Sequence, residues 1–116
     1  MPELTIYHNP RCSKSREALA LLQENGVSPE IVLYLDTPPG TAELRQLLAR
    51  LGIPAIELVR RNEEEYRSAG LSTASSEAGI IAAIAAHPRL LQRPIVVRGD
   101  RAIIGRPPEN VLDLLN

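Results

Sequence analysis

The sequence has a single cysteine, no phenylalanine and no tryptophan among its 116 residues. One cysteine cannot form a disulfide within the chain, and one cysteine with two histidines argues against a structural zinc site. Three tyrosines build no aromatic platform for stacking bases, and a formal net charge of -1 gives no large basic surface. These shortages argue against a nucleic-acid-binding protein.

Long apolar segments are also missing. The chain has no apolar run of the length that spans a bilayer and no signal-like stretch near Met1. Together with the lack of a cysteine framework, this predicts a protein of the reducing cytoplasm, away from membranes. The length fits one compact domain over residues 1–116, which would bury about 60% of the surface that its unfolded chain exposes.

The basic residues are unevenly divided between the two types. Of 13 lysines and arginines only Lys14 is a lysine, which leaves twelve arginines. Codon bias explains such an excess for surface positions. An arginine therefore indicates function only where it lies beside a reactive group.

The first third of the chain predicts a β-α-β unit. Residues 4–7 alternate like a short strand, and an apolar pattern indicates a helix over about 13–25. Gly26 is placed to end that helix in a left-handed conformation. Residues 31–35 form a continuous apolar run, typical of a strand covered on both faces, and the helical crossover makes the two strands parallel.

The middle of the chain, about residues 39–88, predicts a helical insertion. It has helices at about 41–51, where Thr41 can act as the cap, and 76–86, with no strand pattern. Residues 94–98 and 101–104 then flank Gly99-Asp100, which predicts a hairpin with a type II′ turn. Pro107-Pro108 opens a last helix. This order predicts an α/β fold class with a four-stranded mixed sheet.

Cys12 is the candidate nucleophile. It follows the strand-to-helix turn directly, where unpaired backbone N–H groups and the positive helix end favour a thiolate. Arg11, Lys14 and Arg16 add positive charge. His8, at the end of the first strand, could approach the sulfur from the other side. Each would lower the thiol pKa below its free value of about 8.5, whereas the alternative is a small buried hydrophobic residue.

The spacing around Cys12 argues against two common thiol chemistries. Ser15 stands where a Cys-x-x-Cys pair needs its second sulfur, so the chain must borrow an external thiol. Ala18 stands where a tyrosine-phosphatase-type loop has its arginine. An oxyanion at Cys12 would therefore be held by the helix start and by arginines from elsewhere.

Three arginines stand out by position. Arg60 follows the apolar residues 56–59, Arg93 precedes the third strand, and Arg106 follows the fourth strand. Strand ends at one edge of a small sheet can converge on a helix N-terminus, and guanidinium forks suit tetrahedral oxyanions. The alternative for each of them, as for the neighbouring Arg61, is a solvated surface position.

Four separated motifs resemble the glutaredoxin-linked arsenate reductases. They are HNPRCSKSR at 8–16, LVRRN at 58–62, RPIVV at 93–97 and GRPPE at 105–109. The likeness runs nearly end to end. It implies a thioredoxin-like fold with the helical insertion between strands 2 and 3, and a cis Arg93–Pro94 peptide bond facing the active-site loop.

The resemblance also implies roles for individual residues. Cys12 would be the nucleophile, while Arg60, Arg93 and Arg106 would hold arsenate and the thiol-arsenic intermediates. His8 would lower the cysteine pKa. Ser15 would form a hydrogen bond near the thiolate.

The implied reaction begins when the Cys12 thiolate displaces an oxygen of arsenate. Glutathione, a co-substrate, then attacks the adduct, and glutaredoxin resolves the mixed disulfide as arsenite leaves. No bound cofactor or metal is implied. Arg11 departs from the family pattern by adding a cation beside the nucleophile.

Two other functions stay open. One is a thioredoxin-fold regulator that binds RNA polymerase, although such relatives commonly use a Cys-x-x-Cys switch that Ser15 precludes. The other is a thiol-dependent reductase or transferase that acts on another small substrate. The arginines favour an oxyanion but do not distinguish arsenate from other tetrahedral anions.

Overall fold

The computed structural model describes residues 4–115. Its strands are β1 (Leu4–His8), β2 (Glu30–Leu33), β3 (Ile95–Arg98) and β4 (Arg101–Ile104). Its α-helices are α1 (Ser13–Glu24), α2 (Thr41–Leu51), α3 (Glu64–Ser68) and α4 (Glu77–Ala86), and its 3-10 helices are Ala55–Glu57, Pro88–Leu90 and Pro108–Leu115.

The chain divides into two compact units. The sheet unit comprises the described residues up to Thr37 and from Arg93 onward, and the insertion unit is Pro38–Gln92. The insertion unit begins and ends within a few residues of the predicted 39–88. A single domain over 1–116 stays a prediction.

The sheet is mixed, as predicted, with strand order β2-β1-β3-β4. β1 pairs in parallel with β2 across the α1 crossover and antiparallel with β3, which in turn pairs antiparallel with β4. Between β3 and β4 the turn has Gly99 at φ 62°, while Asp100 does not have a positive φ, as a type II′ turn requires.

One face of the sheet forms a core with α1 and the last 3-10 helix. This core cluster contains Leu4, Ile6, Ala18, Leu22, Val96, Val111 and Leu114. Side chains alternate between the two faces of a strand, so His8 shares the face of Leu4 and Ile6. The last residue of β1 is thereby directed to the side on which α1 packs.

The predicted second strand, residues 31–35, is wrong in its extent and its burial. β2 ends at Leu33 and a turn follows. Ile31, Leu33 and Leu35 are 46%, 38% and 39% exposed. The reason is that β2 lies at the edge of the sheet with β1 as its neighbour, and an apolar run alone does not distinguish an edge strand from a central one.

Helix ends follow the predicted positions with two differences. α4 is capped by Ser76, whose Oγ accepts the Gly79 N–H at 3.1 Å. Gly40 occupies the cap position of α2 and Thr41 is the first helical residue, so Thr41 is not the cap. The last helix is a 3-10 helix. Within residues 4–115 no helix combines the length and apolarity needed to cross a bilayer.

Candidate active site

The loop between β1 and α1 is closed by its own backbone. The Cys12 N–H donates to the Asn9 carbonyl oxygen at 3.0 Å, and the Arg11 N–H donates to Asn9 Oδ1 at the same distance. An asparagine side chain that accepts from the backbone two residues on is a common turn device. The turn leaves Cys12 as the N-cap residue of α1, with extended φ and ψ of -95° and 122°.

The Cys12 thiol is buried at the positive end of α1, with 8% of the residue exposed. Burial raises the pKa of the thiol, but the backbone N–H of Ser15, the charge and hydrogen bond of Arg93 and the Lys14 N–H outweigh burial and lower the pKa overall. The Cys12 side chain forms no capping hydrogen bond with the first turn of α1. Negative charge on the sulfur is what these donors stabilise, because the second and third helical N–H groups face an N-cap side chain.

Arg93 brings buried hydrogen-bond donors to the thiol. Its charge and hydrogen-bonding groups help to lower the pKa of the Cys12 thiol, and its peptide bond to Pro94 is cis, as the resemblance implied. Two of its nitrogen atoms, Nε and Nη1, are buried without a partner among residues 4–115. Leaving a buried donor unsatisfied costs about 1–3 kcal/mol, more for a charged group, so an anion that accepted from these atoms would be strongly favoured.

The segment that follows β4 binds the backbone of Arg93 and Pro94. Nε of Arg106 donates to the carbonyl oxygen of Arg93 at 2.8 Å, and the Gly105 N–H donates to the Pro94 carbonyl oxygen, also at 2.8 Å. Arg106 is exposed and Gly105 is buried. Two of the three predicted arginines therefore contact each other in the sheet unit, because the side chain of Arg106 binds the backbone of Arg93.

His8 is buried and contacts Ser15 rather than the sulfur. Its Nδ1 lies 2.6 Å from Ser15 Oγ, which also accepts the Asn9 N–H at 3.0 Å. Burial, and after it the charge of Arg16, lowers the pKa of His8 below its ordinary 6.5. The lowered pKa favours the neutral imidazole, and the hydrogen bond described for His8 joins it to Ser15.

Arg16 holds the loop from the helix side. Its Nη1 donates to the Pro10 carbonyl oxygen at 2.8 Å, which ties the first turn of α1 to the residue before Arg11. Lys14 pairs with Glu17 at 3.8 Å on the exposed face of α1, and Arg11 is itself exposed. The sequence indicated these three residues only as positive charges. In the described part of the chain, Arg16 is the one whose side chain forms a hydrogen bond within the loop.

Arg60 belongs to the insertion unit. Its N–H donates to the Leu90 carbonyl oxygen at 2.7 Å, beside an antiparallel bridge of Val59 and Leu91. Its Nη1 lies 2.5 Å from Glu63 Oε1, and the two side chains are 18% and 17% exposed. Glu63 begins a run of three glutamates, residues 63–65, a composition typical of a solvated surface. Its side chain is instead mostly buried as the partner of Arg60.

The sheet unit brings together five of the six predicted site residues, namely His8, Cys12, Ser15, Arg93 and Arg106. Sequence reasoning missed the parts that hold them. Gly105 has a weak signal, since a glycine at a strand end often marks close backbone approach. Arg16 has none beyond its charge.

These groups can perform one kind of chemistry. A thiolate stabilised at a helix N-terminus is a nucleophile, and buried guanidinium donors next to it can hold an oxyanion. A mixed four-stranded sheet with such a thiol at the start of its first helix is a thioredoxin-like fold.

Known proteins are similar to this chain over nearly all of its length. The family model for the ArsC family matches residues 7–114. YfgD of Escherichia coli K12 is 54% identical over 97% of both chains, and an arsenate reductase of Neisseria meningitidis is 46% identical over 96% of this chain and 97% of its own. The solved arsenate reductase from Vibrio cholerae superposes with a TM-score of 0.93 at 45% identity, covering 97% of each chain. This chain belongs to the ArsC family.

Proposed function

We propose that this protein reduces arsenate to arsenite through a covalent adduct on Cys12, with glutathione and glutaredoxin as electron donors. The observation that carries the proposal is the pair of buried Arg93 donors without a partner, on a side chain that also helps to lower the pKa of the Cys12 thiol. A tetrahedral oxyanion about to bond to that sulfur has oxygen atoms to accept from both. Relatives named arsenate reductases, at 46–47% identity, support arsenate as the anion.

The first step joins sulfur to arsenic. The Cys12 thiolate attacks arsenic of dihydrogen arsenate, and one hydroxyl oxygen of the substrate leaves as water after taking up the substrate's second proton. The S–As bond that forms leaves arsenic in its pentavalent state. Arg93 and Arg106 would balance the charge on the arsenic oxygens while the bond forms.

The second step moves the electrons. Glutathione attacks the Cys12 sulfur, the S–As electron pair stays on arsenic, and arsenite leaves with arsenic reduced from five-valent to three-valent. The two sulfurs are thereby oxidised to a Cys12–glutathione disulfide. A glutaredoxin thiol then takes the glutathione by disulfide exchange and returns the Cys12 thiol, so one cysteine in the chain suffices.

His8 and Ser15 assist the thiolate in this proposal. When neutral His8 carries its proton on Nδ1 it donates to Ser15 Oγ, and the hydroxyl proton of Ser15 is then left for the sulfur. Arg60 is assigned to the arsenate oxygens by the LVRRN motif, with its guanidinium oriented by Glu63. Because glutathione keeps thiols reduced in the cytoplasm, a glutathione-dependent reaction also implies a cytoplasmic location.

Arsenite formation by the purified protein tests the proposal. With arsenate, glutathione, glutaredoxin and glutathione reductase, we expect NADPH oxidation that is matched by arsenite. Cys12→Ser removes the nucleophile and should lower turnover to the blank. Equal turnover in Cys12→Ser, or none in the folded wild type, would contradict it.

The identity of the electron donor is tested in the same assay. Replacing glutathione and glutaredoxin with thioredoxin and thioredoxin reductase should abolish turnover, because the adduct then lacks the small thiol that attacks it. Intact-mass measurement of protein quenched without glutaredoxin should show one glutathione per chain. Full activity with thioredoxin alone would rule out glutathione and glutaredoxin as the electron donors, but it would still support arsenate reduction by this protein.

A further inference from the structure

We propose that Gly105 is a positioning residue of the site: its lack of a side chain lets Pro94 pack against the end of β4, and this packing places the Arg93 guanidinium beside Cys12. The inference rests on the thiolate role proposed for Cys12 but not on the identity of the oxyanion. Gly105 touches no substrate itself.

The space at Gly105 is smaller than a methyl group. A Cβ built there would lie 2.8 Å from Pro94 Cγ and 3.0 Å from Val111 Cγ1. The Pro94 atom belongs to a closed ring that can move only by a change of pucker, Cδ of the same ring lies 3.4 Å from the built Cβ, and Val111 is fully buried in the core cluster. A side chain at this position must therefore displace the Pro94 backbone or the last 3-10 helix.

Conformation does not require glycine at this position. Gly26, Gly52, Gly70 and Gly99 have positive φ, and Gly105 is not among them. An alanine could therefore adopt the backbone of Gly105 without strain. The requirement for glycine is a requirement for space next to Pro94.

Displacing Pro94 acts directly on Arg93. The Gly105 N–H holds the Pro94 carbonyl oxygen and Arg106 Nε holds that of Arg93, both at 2.8 Å. One segment thus fixes two consecutive residues, and a shift at Pro94 changes where the preceding guanidinium lies. The attraction between the Arg93 guanidinium and the thiolate weakens as the two charges separate, while the burial of the thiol remains. The pKa of the Cys12 thiol should therefore rise.

Gly105→Ala tests this through the reactivity of the thiol. We expect the pH midpoint of iodoacetamide alkylation of Cys12 to rise, with about a tenfold slower reaction at a fixed pH below the midpoint. Gly40→Ala is the matched control, because Gly40 has φ -79° and nothing lies within 4 Å of the place that an alanine methyl group would occupy. It should alkylate like the wild type.

Thermal unfolding separates positioning from packing. If Gly105→Ala lowers the melting temperature but leaves the alkylation midpoint at the wild-type pH, Gly105 is only a packing residue and the proposal is overturned. Should the single variant fail to fold, Gly105→Ala with Val111→Ala removes the 3.0 Å contact and keeps the 2.8 Å contact with Pro94. A raised midpoint in that double variant, absent in Val111→Ala alone, supports the proposal, and an unchanged midpoint rejects it.

Discussion

Arg106 holds the backbone of Arg93: its Nε donates a 2.8 Å hydrogen bond to the Arg93 carbonyl oxygen. One arginine of the proposed oxyanion site therefore anchors the other. Removing Arg106 takes away a charge and also releases the peptide from which the buried guanidinium extends. The two arginines are coupled, and their substitutions should not be additive.

Arg106→Ala should weaken arsenate binding without unfolding the protein, because the side chain is exposed. Loss of one charge-assisted hydrogen bond, about 1.5–3 kcal/mol, corresponds to a KM for arsenate that is about 10- to 100-fold higher. Steady-state kinetics at saturating glutathione measures this. Arg101→Ala, also exposed, is the control, and an equal KM in both variants would remove Arg106 from the site.

Arg93→Ala should raise the pKa of the Cys12 thiol. Burial alone raises this pKa, and the variant loses the charge and the hydrogen bond that oppose burial while keeping the Ser15 and Lys14 N–H groups. The pH profile of alkylation should therefore move to higher pH. Arg11→Ala, adjacent in sequence but exposed, should leave the profile near that of the wild type. Equal movement in both would mean that general positive charge, not Arg93, stabilises the thiolate.

His8 should make the folded state less stable in acid. Because burial and Arg16 lower its pKa in the fold below 6.5, the unfolded chain takes up the proton first. The stabilising contribution is present above pH 6.5 and is lost as the pH falls through the lowered value. Urea unfolding at pH 7.5 and pH 5 should show a smaller loss of stability in His8→Gln than in the wild type. His87→Gln, at an exposed position, should lose as much as the wild type, and a reversed ranking would refute the assignment.

Glu63→Gln should destabilise the protein more than Glu17→Gln. Glu63 lies 2.5 Å from Arg60 with both side chains mostly buried, whereas Glu17 and Lys14 are 3.8 Å apart and about half exposed. Glu63 also pairs with the exposed Arg89 at 3.5 Å. Breaking both pairs of Glu63 should cost about 1–3 kcal/mol, mostly from the buried Arg60 pair, and breaking the Glu17–Lys14 pair about 0–1 kcal/mol. Urea denaturation of the two variants gives the comparison. Equal costs would show that Glu63 does not support Arg60.

Local sequence signals predicted the parts of the fold and site that depend on neighbours along the chain. The turn at Asn9, the helix that starts after Cys12 and the Gly99 hairpin are set within a few residues of each other. Contacts between distant segments were not predictable in this way. Gly105 meets Pro94 eleven residues earlier only because β3 and β4 form a hairpin, and the exposure of Leu33 depends on which strand ends the sheet.

The open edge of the sheet has a consequence for how copies of this chain meet. β2 has backbone groups that β1 does not pair, beside the exposed side chains of Ile31 and Leu33, which is a template for unwanted strand addition. Glu30 begins the strand and Asp36 follows the apolar run. A second copy that added its own β2 in parallel and in register would bring two Glu30 carboxylates side by side, and like charges in that position repel. A charged residue in the edge strand is therefore expected to oppose strand addition along this edge.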